Sequence, residues 1–452
     1  MQTRSRGTTL SNAFSGQMIG LALVISLGLG CADWHEFGHG PTNPHRTDAP
    51  GPIGGMTHGF ELLPLPAGSF HGYEVGVLAD SSGAYYVTSY SSDIHVYDPS
   101  GSHQAVLILP SAGSRGGPYV LNDFLRKKSV IFTGSAHGGF YSIEVDKNAM
   151  PYSMRLTGID PAAGPSESPP KRAADGTLYV ADLFGNIHSY HYDLVAGRLA
   201  RLSTYSLGEP VSGAIALYDL DPVAPGEEVL VATREGGFYV LDHSLSVELW
   251  SETTGHDYAD EYYAGVTVAQ RDAAAPIALL PIADRASSPP SPNSGLLRAI
   301  NLDTGEIEWE LHPSLTTLGD HEIPGSVSLM HPFTSSGEAT TGGAGLDPTS
   351  DLATFASTDG HLYAVDLASG LEVWAYAMSA AGFDAPVTDR HNVVYVGDGA
   401  SILHALYGPT GEPFWTNSML SDGGSEDVVK LGLSYYKELL AASRTFAYVL
   451  LP

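Results

Sequence analysis

The residues with the plainest capacity for chemistry sit near the start of the chain. His35-Glu36-Phe37-Gly38-His39 matches H-E-x-x-H. In that motif two histidines one helical turn apart hold zinc, and the glutamate between them acts as general base. His45 follows ten residues after His35, the spacing of a third ligand in the longer form of the motif. The surroundings do not sustain it. Gly38, Gly40 and Pro41 oppose a continued helix. Thr42 stands where the longer motif has glycine, and the motif opens only four residues after Cys31, leaving no chain before it for a substrate cleft. The expectation is a polar segment, with His35, His39 and His45 kept as weak metal candidates.

A second set offers hard oxygen ligands. Asp219 and Asp221, followed by Glu228, resemble an acidic loop before a strand that could hold Ca²⁺. Val223-Ala224-Pro225 interrupts the run, so these three are also weak candidates, set against a solvated acidic turn. Asp257, Asp260 and Glu261 with Tyr258, Tyr262 and Tyr263 could form a polar or carbohydrate-binding rim. Their spacing selects no reaction. No residue is assigned a catalytic role.

Composition narrows the classes further. The chain has 452 residues, with 21 basic and 50 acidic side chains and a formal charge of -29. The acid is spread along the chain, and no basic face is available to replace phosphate counterions, so nucleic acid is excluded as a partner. Cys31 is the only cysteine, so no internal disulfide supports the fold. It closes an apolar run, Met18 to Leu29, that follows Arg4 and Arg6. The run is too short for a comfortable transmembrane helix and suits a secretory signal. Leu27-Gly28-Leu29-Gly30-Cys31 resembles a bacterial lipobox, although Gly28 replaces its usual leucine. The expectation is a signal peptide over 1–30, lipidation at Cys31, a flexible lipid-anchored tether over 31–57 and a folded domain over 58–452. Such a protein crosses the inner membrane and stays in the periplasm or at the cell surface, as an outer-membrane lipoprotein held by its lipid alone.

The elements that must position any site come from a repeat. Four of the five tryptophans close one eleven-residue phrase. It reads Ala299 to Trp309, Ala364 to Trp374 and Ala405 to Trp415, with a drifted copy from Val240 to Trp250. Gly305, Gly370 and Gly411 each stand four residues before the tryptophan. Around each phrase run short apolar strands joined by tight turns, as in Ala353–Ser357, Asp359-Gly360 and His361–Asp366. Asp-Gly between alternating apolar runs is a hairpin signal. Aligned hairpins place phase marks at Tyr97, Asp146, Tyr192, Asp242, Asn301, Asp366, Tyr407 and Tyr448, in steps of 41 to 65 residues. A four-stranded propeller blade needs about 40–50 residues. The two longest steps hold insertions, Ser287–Pro292 and Ser335–Gly345. The fold expected is all-β: an eight-bladed β-propeller of four-stranded antiparallel blades, with seven blades as the alternative. The last hairpin ends at the C-terminus, so its blade must take a strand from the N-terminal side, within Gly59–Leu65. That pairing closes the ring and removes exposed edges. Repetition of Trp250, Trp309, Trp374 and Trp415 at one phase is what packing between blades requires.

The phrase resembles the A-x-D-x-x-T-G-x-x-x-W repeat of pyrroloquinoline-quinone-type propellers, most closely around Asn301, Asp366 and Tyr407. The resemblance implies one of two activities. Quinone-dependent dehydrogenases of this superfamily hold PQQ and Ca²⁺ on the propeller axis, and many carry a vicinal disulfide that a chain with one cysteine cannot form. No axial Glu/Asn/Asp set is identifiable. The non-catalytic branch includes a lipoprotein of the outer-membrane β-barrel assembly machine, a scaffold whose loops bind partners. The expectation is that branch: a cell-envelope scaffold without cofactor that binds envelope proteins or components, with the PQQ/Ca²⁺-dependent enzyme as alternative.

Overall fold

The computed structural model describes residues 42–47, 51, 57–62, 77–88, 93–110, 117–221, 226–253, 257–258, 264–271, 274–283, 295–313, 323–332, 351–382, 385–418, 428–433, 439–443 and 447–451. They form eight antiparallel sheets, seven of four strands and one of five. Seven sheets are built from consecutive stretches of chain: blade 1 (77–108), blade 2 (119–160), blade 3 (171–206), blade 4 (216–253), blade 5 (257–311), blade 6 (328–377) and blade 7 (387–418). Strands are called a to d within a blade, from the innermost outwards.

Blade 8 joins the two ends of the chain. Val428–Leu433, Leu439–Ser443 and Ala447–Leu451 supply its strands a to c, and Thr57–Leu62 pairs antiparallel with the last of them as strand d. The borrowed strand overlaps the predicted span Gly59–Leu65 but begins two residues earlier, with Phe60 opposite Val449 and Leu62 opposite Ala447. Strand a of blade 8 touches strand a of blade 1 on one side and of blade 7 on the other. The ring is therefore closed with eight blades, and both ends of the chain complete the last of them.

Burial follows the position of each strand. In blade 6, strand b (Leu352–Ala356) is buried throughout, because both of its faces meet neighbouring blades. Strand d (Glu372–Ala377) alternates exposed and half-buried residues, as an outer strand with one solvated face does. The apolar core is accordingly a series of clusters between adjacent blades. Phe238, Val240 and Leu230 of blade 4 pack on Leu280 and Ile300 of blade 5. Ala299 and Leu297 of blade 5 pack on Phe355 and Tyr363 of blade 6.

The tryptophan phrase makes the same junctions at the rim. A Cβ built on Gly370 would lie 2.5 Å from the Trp309 ring, and one on Gly411 2.7 Å from the Trp374 ring. Gly305 faces Trp250 in the same way at 3.5 Å. Each tryptophan thus lies on the glycine of the next phrase along the chain. Trp309 Nε1 donates to Leu367 O at 3.2 Å and Trp374 Nε1 to Gly408 O at 2.7 Å, so the polar edge of the ring is satisfied by the blade it covers. Trp415 is half-buried against the cluster that blades 1, 2 and 7 share.

Two expectations need correction. Blade 5 has five strands, not four. Its strand b, Ala274–Ala283, is twice as long as strand a, Thr267–Arg271, and Asp257–Tyr258 pairs with the end that strand a leaves uncovered. The span 31–57 is also not wholly a free tether: residues 42–47 lie against the inner strands, and Asn43, His45 and Thr47 are buried. The physical reason is that strand a of a blade has an unpaired edge on the axis, and this segment supplies hydrogen-bond partners to it. The insertions at 287–292 and 335–345 lie outside the described residues.

Gly370→Ala tests the rim junction. It adds a Cβ against Trp309 at a position whose φ is +69°, and should cost about 2–4 kcal/mol, from overpacking together with left-handed strain. Gly208→Ala, at φ +80° with nothing within 4 Å, should cost only the strain, about 1 kcal/mol. Urea unfolding of both variants reads the difference.

Candidate functional site

The axis is the first place to examine, because the resemblance puts a cofactor there. The walls of blades 4 to 7 are occupied by the chain's own residues 42–47 and Gly51. Asn43 Nδ2 donates to Ile215 O and Val266 O, both at 2.8 Å, and bridges blades 4 and 5. Val268 N donates to Thr42 O at 2.9 Å and Leu329 N to Pro44 O at 2.8 Å. His45 O accepts from Thr388 N at 2.9 Å and from Ser328 Oγ at 2.8 Å. Arg46 forms a parallel bridge with Thr388, and its guanidinium donates to Met330 O at 3.0 Å. Gly51 N ends the run on Asp389 Oδ2 at 2.6 Å. Asn43 and His45 adopt φ of 54° and 46°, which lets successive peptide groups face different blades.

Residues 42–47 fill this part of the axis with their own hydrogen bonds to the inner strands. His45, the third zinc candidate, is fixed here by its own carbonyl, while Cys31, His35 and His39 lie outside the described residues.

The calcium candidates are not gathered either. Glu228 is buried and turned back to accept from Leu220 N at 2.7 Å, whereas Asp219 and Asp221 are exposed. Among the described residues no group of three His, Cys, Asp or Glu is arranged to hold a metal ion. A cleft of about 220 Å³ between blades 3 and 4 is lined by Asp175, Asp219, Glu227 and His243. Glu227 is engaged there as acceptor for Ala174 N at 2.6 Å. Residues 259–263 of the acidic–tyrosine stretch lie outside the described residues.

Sequence reasoning missed a set of buried carboxylates. Asp80, Asp98, Asp182, Asp389 and Asp398 share one seven-residue turn. In each, Oδ1 accepts the backbone N–H groups two and four residues on, as in Asp182 with Phe184 and Asn186, both at 2.9 Å. The residue three on has positive φ: Gly83, Gly101, Gly185, Asn392 and Ser401. The second oxygen faces the side chain six on: Tyr86, Gln104, His188, Tyr395 and His404. The pattern D-x-x-[GNS]-x-x-[YHQ] was readable, but it is spread over a–b, b–c and c–d turns. A search keyed to one hairpin phase does not collect it.

Two copies resemble proton relays. His188 joins Asp182 at 3.0 Å to Thr204 Oγ1 at 2.9 Å, and His404 joins Asp398 at 3.0 Å to the Tyr376 hydroxyl at 3.3 Å. Their recurrence at one place in two blades marks them as turn architecture. A carboxylate that closes a turn and holds the ring on the following strand locks the hairpin register. Burial alone would raise Asp182 and Asp398, but the bonds from His188 and His404 and from the turn N–H groups outweigh it and hold both below the usual carboxylate value. Asp80 is depressed in the same way: Lys147 of blade 2, 2.7 Å away, overcomes the cost of burial. Asp389 differs. Its burial exceeds the help of three N–H donors, from Gly51, Val393 and His391, and its pKa is raised.

The fold defines the class: this is an eight-bladed β-propeller with PQQ-type repeats. Residues 358–435 match the family of the outer membrane protein assembly factor BamB, and the whole propeller resembles solved structures at low identity. BamB from Moraxella catarrhalis aligns with a TM-score of 0.56 at 17% identity, over 88% of this chain and 99% of that one. Sqt1 of Saccharomyces cerevisiae aligns at 0.63 and 11% identity, over 88% and 98%. The computationally designed Ika8 aligns at 0.57 and 13%, over 88% and 100%. No curated protein sequence matches the chain. The designed protein shares the architecture as fully as the natural ones, so the likeness shows a fold and leaves the task to the residues.

The Asp turns predict a pH dependence of opposite signs. Asp80, Asp182 and Asp398 have depressed folded values, so their stabilisation is complete above the unfolded value of about 3.9 and is lost as pH falls below it. Asp80→Asn should cost about 3–5 kcal/mol at pH 7, because Lys147 is left buried without its charge partner, and less at pH 3. Asp389, raised by burial, disfavours the fold while ionised. Asp389→Asn should therefore cost less at pH 7 than Asp80→Asn, because removing the disfavoured charge offsets the loss of one acceptor for Gly51 N. Denaturant midpoints of the two variants at pH 7 and 3 check both signs.

Proposed function

We propose that this chain is a non-catalytic propeller lipoprotein of the cell envelope, a scaffold that binds other proteins on its turn faces, with Cys31 as the lipidated residue. The observation that carries the reading is the axial segment. Residues 42–47 line the inner strands of blades 4 to 7 with their own hydrogen bonds, which favours the two turn faces as working surfaces. The match of residues 358–435 to the BamB family and the alignment with BamB support a scaffold. The run from Arg4 to Cys31 supports export and anchoring. Among the described residues no helix is long and apolar enough to cross a membrane.

The segment also sets the length of the leash. Only the ten residues 32–41 lie between Cys31 and the first residue held by the inner strands. Ten residues reach at most about 35 Å, so the propeller works close to the membrane that holds its lipid. Metabolic labelling with a fatty acid should mark the wild-type protein and not Cys31→Ser, and Cys31→Ser should leave the membrane fraction. Mild cross-linking of intact envelopes should join the wild type to a small, reproducible set of proteins. Quinone-dependent dye reduction after reconstitution with PQQ and Ca²⁺ would instead establish the dehydrogenase alternative.

A further inference from the structure

At one end of the propeller, three turns of blades 2 and 3 are stitched into a single patch. Residues 124–127 join strands a and b of blade 2, residues 147–152 join its strands c and d, and residues 194–197 join strands c and d of blade 3. Because successive strands alternate in direction, a–b and c–d turns emerge at the same end of the ring. Lys147 N donates to Lys127 O at 3.0 Å, Asn148 Nδ2 to Arg126 O at 2.9 Å, and the Arg126 guanidinium to Leu194 O at 3.2 Å. These bonds hold the turns together as one surface.

That surface is apolar where turns are ordinarily polar. Phe124 is 58% exposed, Leu125 99%, Met150 69%, Leu194 40% and Val195 82%. Nearly all the other exposed large apolar side chains among the described residues lie on outermost strands or beside them, as Ile108, Leu202 and Phe414 do. At the same end, blades 1, 4 and 6 carry turns closed by Asp98, Asp242 and Asp366.

Charge singles out the same sector. Residues 119–206, which make blades 2 and 3, hold nine basic and eight acidic side chains, a net +1, so the remaining chain carries -30 of the total of -29. Most cations at the patch have partners in the chain. Arg126 faces Asp123 at 3.4 Å, and Glu144 takes both Lys128 at 2.9 Å and Arg155 at 3.1 Å. A surface made for an acidic partner or an anionic bilayer needs an excess of unpaired cations, and this one is balanced. A balanced, mixed-sign apolar patch complements itself: under two-fold symmetry each copy offers both signs to the other. Two copies that meet here also keep their acidic remainders farthest apart.

We infer that this patch on blades 2 and 3 is a weak homodimer interface, where a second copy of the chain packs Phe124, Leu125, Met150, Leu194 and Val195 against their own counterparts. Three turn tips make a small interface, so association is concentration-dependent. Salt strengthens it, because ions screen the repulsion between the acidic remainders and leave the apolar contact intact.

Sedimentation velocity of the full chain in a mild non-ionic detergent, from 2 to 200 µM and at 0.05, 0.15 and 0.5 M NaCl, tests this. A dimer that grows with concentration and with salt is expected. Leu125→Asp combined with Val195→Asp should weaken association at least tenfold at an unchanged thermal midpoint, while Leu371→Asp, exposed on blade 6, should leave it unaltered. A monomer at 200 µM in 0.5 M NaCl overturns the inference, as does a dimer indifferent to the double variant. Co-sedimentation of a monomer with phosphatidylglycerol vesicles, abolished by Leu125→Asp, overturns it in favour of a bilayer contact. The outcome is independent of whether Cys31 is lipidated or which proteins the scaffold binds.

Discussion

Every part of this structure depends on contact between neighbouring blades. A four-stranded sheet of this size cannot bury both of its faces alone, and the clusters at each junction show where the burial comes from. At the rim the contact is a tryptophan seated on a glycine. The flat ring needs a partner without a side chain, and a turn at positive φ provides one. The indole N–H then finds a carbonyl on the same turn. One residue type thus supplies apolar area and a directed bond, and the pair sets both the spacing and the rotation of one blade on the next.

The inner end of each blade has a different problem. Strands a converge on the axis with one hydrogen-bonding edge unpaired, and unpaired buried backbone groups are costly. Part of that edge is met here by a peptide from the N-terminal side, which crosses the inner strands of blades 4 to 7. The segment thereby ties four neighbouring blades to one another at the axis. Charge is divided unevenly around them, since most of the ring is strongly acidic and one sector is balanced.

Much of the architecture was legible in the sequence. Asp359-Gly360 between alternating strands, and the spacing from Gly370 to Trp374, declare a hairpin and its phase. Local turn chemistry and two-residue periodicity are written in adjacent residues. The borrowed strand followed from counting, because a final blade of three strands needs a fourth. The seat of Asn43 and His45 was not legible. Gly, Pro, His and Thr without periodicity read as a tether, and what orders them is hydrogen bonding to strand edges more than 170 residues away. The Asp turns were hidden by their distribution over unlike hairpins. The patch at Leu125 and Val195 was not legible either, because exposure is a property of the folded ring and not of the letters.

The seam in blade 8 also bears on when the ring can close. Thr57–Leu62 is among the earlier segments of the chain, and its partner Ala447–Leu451 is the last strand. Closing a loop of roughly 390 residues costs about 5 kcal/mol of chain entropy, and the bonds that repay it need both ends to be present. A chain that emerges N-terminus first cannot shut its ring until the final strand has been made. The same seam that completes the finished ring leaves the growing chain open until its last strand arrives.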